Sequence, residues 1–313
     1  MTSLASNPTS YSLEDFHGSR SRMRKERIVR AVLFVAASTS IVISVAIVAS
    51  LIGEAWTFVS QVELAALWTD GWFPRRGMYD VKTLVSGSLI VTVIAMAVAG
   101  PLGLGAAVYL SEYAPAAVRK VVKPALEILA GIPSVVLGFF ALTFLSPVIV
   151  QRLNDEATQF NIAAAGIGVG ILTIPLVASI SEDAMRSVPM ALREASYGLG
   201  ARKITTTVRV VIPAAVSGLV AAFIVAVSRA IGETMVVFIA AGATGGSLFS
   251  TDPFKPGQTM TAAIASQAAG TDQVRGAGLT FQSLFFVGML LFLVTLVLNV
   301  LASRFVRRVR QAY

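Results

Sequence analysis

Arg229 and Glu233 are the residues of this chain best placed to act on a charged ligand. They stand in Ser228-Arg229-Ala230-Ile231-Gly232-Glu233-Thr234-Met235, flanked by Ala, Val, Ile and Phe. A spacing of four predicts both side chains on one helical face, one turn apart. At about 1.5 Å per residue, Arg229 falls roughly 24 Å along a helix that starts at Pro213, within the middle region of a membrane. A central Arg costs about 2.5–3.5 kcal/mol to insert even on the mildest scale, so such residues are usually functional. Its guanidinium is a planar fork suited to phosphate or carboxylate oxygens, and it stays charged at any working pH. Glu233 would steady it and limit how tightly an anion is held. Three roles fit these residues: transient contact with a passing oxyanion, a gate that opens when helices move, and a pair that only neutralises itself.

A second constellation lies upstream, in Glu194-Ala195-Ser196-Tyr197-Gly198-Leu199-Gly200-Ala201-Arg202-Lys203, running on to Val210-Val211-Ile212-Pro213. Val188-Pro189 can open a short helix, because proline is tolerated in a first turn. That helix would run through Glu194 and Ala195 to about Leu199. Gly200 can take the left-handed conformation that stops a helix and turns the chain. A second helical stretch, Ala201 to Ile212, would lead into Pro213. Small Ala195 and Ser196 allow a close approach, and Glu194 can cap or pair with a basic neighbour. The bland alternative is a plain basic connector.

Other chemistries are excluded or disfavoured. The chain has no Cys, so it has no disulfide and no thiolate chemistry. Its one His, His17, lies in a polar leader, and no metal-ligand cluster is expected. Gly198 to Lys203 lacks the Gly before the Lys and the Ser/Thr after it, so no phosphate loop is present. The Gly166-x-Gly168-x-Gly170 string has no strand before it and is no nucleotide fingerprint. No cofactor is expected.

These residues need a membrane frame, and composition supplies it. Apolar residues make up 55% of the 313 and charged ones only 13%, with a mean hydropathy of +0.76; soluble domains carry about 25% charged residues. Runs long enough to cross a hydrocarbon core of about 30 Å need roughly 20 residues. Six meet that length, approximately Ile28–Ile52, Leu84–Leu110, Pro124–Val150, Ile162–Ser181, Pro213–Gly242 and Gln282–Arg304. The first is too long for the 7–15-residue core of a signal peptide and reads as an uncleaved anchor.

The net charge of +8 follows the span ends, as orientation signals do, and does not imply nucleic acid. One side holds the leader cluster, Arg119, Lys120, Lys123, Arg186, Arg193, Arg202, Lys203, Arg209 and the C-terminal arginines. The other holds Arg75, Arg76, Lys82, Arg152, Lys255 and Arg275. The imbalance predicts both termini and the loop 186–212 in the cytoplasm. The expected organisation is a disordered basic tail over 1–27, a first span and outer loop over 28–83, a permease domain over 84–304, and a basic tail over 305–313.

Helix-breaking residues interrupt several spans: Gly100-Pro101, Gly131-Ile132-Pro133-Ser134 and Thr173-Ile174-Pro175. Proline removes an internal hydrogen bond, and in a membrane the freed carbonyl must be covered by protein or face a wet cavity. Pathway lining and close packing both fit the prolines, and Ser134 is a candidate lining residue. Packing is favoured for Gly166-x-x-x-Gly170. Trp56, Phe58, Trp68, Trp72, Phe73 and Tyr79 in the first outer loop read as an interfacial aromatic belt. The second outer loop, Ala243 to Phe281, is rich in Gly, Thr and Ser and could face an external partner.

The Glu194 to Pro213 segment resembles the EAA loop of ABC importer permeases, with Gly200 six residues after Glu194. Arg229-Ala230-Ile231-Gly232-Glu233-Thr234 resembles the signature of phosphate ABC importer permeases of the PstC/PstA type. Gly131-Ile132-Pro133-Ser134-Val135, Gln258-Thr259-Met260-Thr261-Ala262 and Leu284-Phe285-Phe286 are similar to that family too. The first of these and the basic leader look more like PstC. The resemblance implies an all-α integral membrane fold of the type I ABC importer (MetI-like) architecture with six transmembrane helices. It implies a multi-pass protein of a prokaryotic plasma membrane that is not itself an enzyme. ATP would be bound and hydrolysed by two partner ATPase subunits, one of them docked on Glu194, Ala195 and Gly200. A sister permease subunit, an extracytoplasmic phosphate-binding protein and the lipid bilayer complete the implied partners, with no nucleic acid. Arg229, Glu233 and Ser134 would line or gate the route.

Overall fold

The computed structural model describes residues 20–242, 246–269 and 278–309, and the chain divides into two units between Ser50 and Leu51. In the first unit the described residues are one continuous helix, the start of α1 (Arg20–Gln61). Residues 20–27, expected in the disordered tail, form its first turns, while residues 1–19 lie outside the described residues. The side chains of residues 23–50 are exposed or half-buried throughout, and the basic cluster Arg24, Lys25, Arg27 and Arg30 sits at its head. A helix apolar on every side at this length suits lipid rather than water.

The second unit is almost entirely helical. After the end of α1 come β1 (Gly71–Phe73) and β2 (Met78–Tyr79), then α2 (Val81–Tyr113), α3 (Ala116–Ala130) and α4 (Ser134–Leu153). There follow α5 (Ile162–Arg186), α6 (Met190–Gly198), α7 (Lys203–Ala214) and α8 (Val216–Ile231). The last elements are α9 (Met235–Ala240), β3 (Ser247–Leu248), α10 (Met260–Ala268) and α11 (Thr280–Val309). Helices α1, α2, α4, α5 and α11 are each long and apolar enough to span a membrane. A sixth candidate is a bent pair, α7 and α8, with an angle of 71° between them.

Two expected spans are redrawn. The third was expected from Pro124 to Val150, but the chain breaks at Gly131-Ile132-Pro133, and the span begins at Ser134. Pro133 disfavours a helical residue before it, which ends the helix there. Residues 116–130 form the separate α3, whose Lys and Arg residues cluster in its first half. The fifth span was expected unbroken from Pro213 to Gly242. It is interrupted at Gly232-Glu233-Thr234, and α9 continues after the break. Glycine weakens the helix there, and the Glu233 side chain lies 3.5 Å from the Val236 N–H in the first turn of α9.

The core is built on α5, 72% of whose apolar window is buried, against 33% for α2 and α4. Its small residues let α2 come close. A Cβ on Gly166 would lie 2.8 Å from Cβ of Ile94, and one on Gly170 would lie 2.9 Å from the Ala95 carbonyl oxygen. The packing reading of Gly166 and Gly170 is therefore the one observed. Val91, Ala95, Leu137, Ala141, Val169, Val236 and Val237 close the cluster around them. The start of α5 is fixed by Asn161, whose Oδ1 accepts from the Ala164 N–H at 2.7 Å. The Ile162 and Ala163 N–H groups donate to the carbonyls of Lys255 and Pro253, so the helix leaves few orphan donors.

At the opposite end from the α6–α7 loop, β1 is the centre of a three-stranded antiparallel sheet, pairing Trp72 with Tyr79 and with Ser247. The aromatic loop divides here. Trp56 and Trp68 are exposed, as in a belt, but Phe58, Trp72 and Tyr79 are buried with Leu84, Met260 and Val287. Those three are core residues and correct the belt expectation. The second outer loop is corrected as well, because its segment 257–268 folds into the bundle. Met260 donates its N–H to Ser88 Oγ at 3.0 Å, and a Cβ on Gly87 would collide with the Gln258 carbonyl. Residues 243–245 and 270–277 of that loop lie outside the described residues.

Candidate functional site

The loop that follows α5 folds as two short helices. The α6 helix stops at Gly198, and Gly200 turns the chain with φ of +79°, a value that favours glycine. Ser196 Oγ and Thr206 Oγ1 hydrogen-bond at 2.8 Å and hold α7 against α6. Arg193 fastens the loop to the bundle: it donates to the carbonyls of Val188 (2.5 Å) and Met185 (2.9 Å) and pairs with Glu112 at 3.0 Å. Lys203 Nζ lies 5.0 Å from the ring centroid of Tyr113, in the last turn of α2. Among the residues left outward are Glu194, Ala195, Tyr197, Leu199 and Gly200, with Leu199 89% exposed. Glu194 was expected to cap or pair, yet it forms no ion pair among the described residues. Its carboxylate is free on the surface.

Arg229 sits in the last turn of α8 and Glu233 in the break beyond it. The expected single face is therefore interrupted, and the two side chains form no ion pair among the described residues. Glu233 is engaged elsewhere, its carbonyl accepting from Thr261 Oγ1 at 2.8 Å. Ser134 is half-buried as the first residue of α4. The breaks that hold Ser134 and Glu233 precede helices that touch, since a Cβ on Gly138 would lie 3.1 Å from the Met235 carbonyl oxygen.

What the fold brings to Arg229 is a different set. It lines a cleft of ≈ 360 Å³ together with Lys123 and Glu127 of α3 and Pro175, Ser179 and Glu182 of α5. Pro175 leaves the Ile171 carbonyl without its helical donor, and of the interrupting prolines it is the one on this cleft. Ser134 and Glu233 do not line it. Arg229 is exposed and takes no ion pair or hydrogen bond among the described residues.

Glu182, whose side chain is fully buried, faces three cations: Lys123 Nζ at 3.1 Å, Arg186 Nη1 at 3.5 Å and Arg119 Nε at 3.6 Å. Lys123 also donates to Asp183 at 3.0 Å. Burial lowers the pKa of Lys123, but hydrogen-bonded Asp183 and neighbouring Glu182 raise it further, and the net shift is upward. The ammonium therefore stays charged at working pH. Sequence reasoning treated Arg119, Lys123, Arg186 and Arg193 only as orientation signals and passed over Glu182 and Glu112. The available signal was a carboxylate pair, Glu182-Asp183, in the last turns of an apolar span.

The fold defines a multi-span helical membrane protein, with no nucleotide fingerprint in its sequence. The chain belongs to the family described as binding-protein-dependent transport system inner membrane component, whose model matches residues 99–311. It is a multi-pass inner-membrane permease subunit of an ABC importer, and it is not catalytic. Among its relatives, the probable ABC transporter permease protein YqgH of Bacillus subtilis is 36% identical over 227 residues, 72% of each chain. The phosphate transport system permease protein PstC of Mesorhizobium japonicum is 30% identical over 278 residues, 83% of each chain. The fold is similar to a solved bacterial ABC transporter involved in import of the acidic polysaccharide alginate, with a TM-score of 0.63 at 16% identity over 93% of this chain and 100% of that one. It is also similar to the inward-facing MetNI methionine ABC transporter, with a TM-score of 0.53 at 20% identity over 74% of this chain and 94% of that one.

Proposed function

We propose that this chain is one half of the translocation pathway of an inorganic phosphate importer. The observation that carries the reading is Arg229: a permanent cation with no partner among the described residues, lining an open cleft between α3, α5 and α8. A guanidinium fork matches a tetrahedral oxyanion bidentately. The Arg-Ala-x-Gly-Glu-Thr segment and the PstC relatives at 30% identity support phosphate over other anions. Both termini and the α6–α7 loop face the cytoplasm, where Glu194, Ala195 and Gly200 meet an ATPase subunit. A sister permease, a second ATPase subunit and an external phosphate-binding protein complete the machine. Ser134 and Glu233, at the paired breaks before α4 and α9, belong to the moving part of the route. A second substrate, another oxyanion, is kept open by YqgH, whose name carries no substrate.

The test is uptake by the reconstituted complex with phosphate, sulfate and molybdate in competition. Phosphate should be taken up in an ATP-dependent way, and a hundredfold excess of the others should leave it unchanged. Arg229→Ala should assemble and lose most transport, while Arg229→Lys recovers part, because an ammonium lacks the fork. Equal competition by sulfate would remove phosphate as the substrate.

A further inference from the structure

The cleft beside Arg229 holds a second basic centre that the phosphate signature does not include. Glu182 is the only carboxylate there whose side chain is fully buried, and Arg119, Lys123 and Arg186 converge on it from 3.1 to 3.6 Å. Neither Glu182 oxygen makes a hydrogen bond of good geometry. The carboxylate is thus surrounded by charge but loosely held, and Lys123 divides itself between Glu182 at 3.1 Å and Asp183 at 3.0 Å. Both Lys123 and Arg229 line the same cleft of ≈ 360 Å³.

Resting on the phosphate reading above, we propose that this cleft is a station for the transported oxyanion, bound between Arg229 and Lys123, with Glu182 as a resident anion that competes for the cations. When the cleft is empty, the three partly exposed cations neutralise Glu182, whose fully buried carboxylate would be costly if left unpaired. When the oxyanion arrives, Lys123 turns part of its charge to it, and the nearby carboxylate holds the affinity down. A transport route needs sites that are favourable to enter and weak enough to leave. Arg229 alone explains entry; the competing carboxylate explains departure. Glu182 is accordingly a positioning residue, acting on the anion through Lys123.

The experiment uses the whole complex with inorganic phosphate as the probe. Equilibrium binding is measured on the detergent-solubilised permease–ATPase complex without binding protein, and transport kinetics are measured in proteoliposomes. Glu182→Gln should bind phosphate about tenfold more tightly, in keeping with one lost charge-assisted competitor. Its turnover should fall while its KM falls too. Lys123→Met, at a half-buried and therefore tolerant position, should bind phosphate several-fold more weakly in a normally assembled complex. Unchanged phosphate affinity in assembled Lys123→Met overturns the station, whether or not Glu182→Gln folds. Assembled Glu182→Gln binding no more tightly than the parent overturns the competitor role. If Arg229→Ala abolishes transport in the same series, the phosphate reading survives that failure. If Arg229→Ala transports normally, it is the phosphate reading that fails.

Discussion

Arg193 reaches back from the α6–α7 loop to two carbonyls and to Glu112, and its side chain is only 11% exposed beside a Glu112 side chain at 5%. Removing one partner of a buried pair strands the other charge, at a cost of about 3–5 kcal/mol for fully buried pairs. Arg193→Ala should therefore destabilise the solubilised complex, seen as a lower midpoint in a thermal melt. Arg193→Met with Glu112→Leu should be milder, since neither charge is then left unpaired. A single variant as stable as the parent would show that the pair is a spectator. In the sequence Arg193 is one more basic residue in a basic loop, and nothing local marks it as buried. Its burial is created only when α6 folds back on the end of α2. Gly200 was legible for the opposite reason: its left-handed φ of +79° is a local requirement that residue type alone can announce. Arg229 lies between the two. Its presence in an apolar stretch was readable, but its separation from Glu233 depends on a helix break that spacing arithmetic ignores.

Helix pairing is where small residues decide the outcome. On α5, a Cβ on Gly170 would lie 2.8 Å from Val98 Cβ and 2.9 Å from the Ala95 carbonyl oxygen. The oxygen belongs to the α2 backbone and cannot yield unless the helix moves. Gly170→Val should thus cost about 1–3 kcal/mol through overpacking and reduce the yield of assembled complex. Gly105, on the same α2 helix, would place its Cβ in open space with nothing within 4 Å. Gly105→Ala is the matched control and should leave assembly unchanged. A Gly170→Val complex recovered in normal yield and with an unchanged melt would refute the close-packing account. The Gly-x-x-x-Gly spacing made this contact readable from sequence. The start of α4 was only half legible: Gly131-Ile132-Pro133 reads as a break, but residues 124–150 are apolar enough on average to carry a span across it, and the span in fact begins at Ser134. Hydropathy averages over a window, whereas a helix end is set by one or two backbone positions. The buried segment 257–268 was missed on similar grounds, since Thr, Ser and Gly read as a loop until Ser88 and Gly87 supply its partners.

Orientation is a property of the whole chain, and two independent arguments bear on it. Lys and Arg near the span ends predict which side is cytoplasmic. Strand pairing says something different: β1 binds both β2 and β3, so the loop around Arg75 and the loop around Ser247 share one side whatever the charges do. The native chain has no cysteine, so single introduced thiols report cleanly, and Arg75, Arg202 and Lys255 are all exposed. With an impermeant maleimide on intact cells, Arg75→Cys and Lys255→Cys should label together. Arg202→Cys should label only after permeabilisation, because the α6–α7 loop is expected to face the ATPase. The pattern of failure is diagnostic. If only Arg202→Cys labels from outside, the charge argument is wrong, and the coupling and delivery surfaces exchange sides while the fold stands. If Arg75→Cys and Lys255→Cys label from opposite sides, the sheet cannot exist and the span count itself is wrong. Joint labelling of those two with protection of the third would place the Arg229 cleft, which is lined by Leu110 near the end of α2 and by the second half of α5, towards the ATPase side of the membrane. That is where an imported anion has to be released.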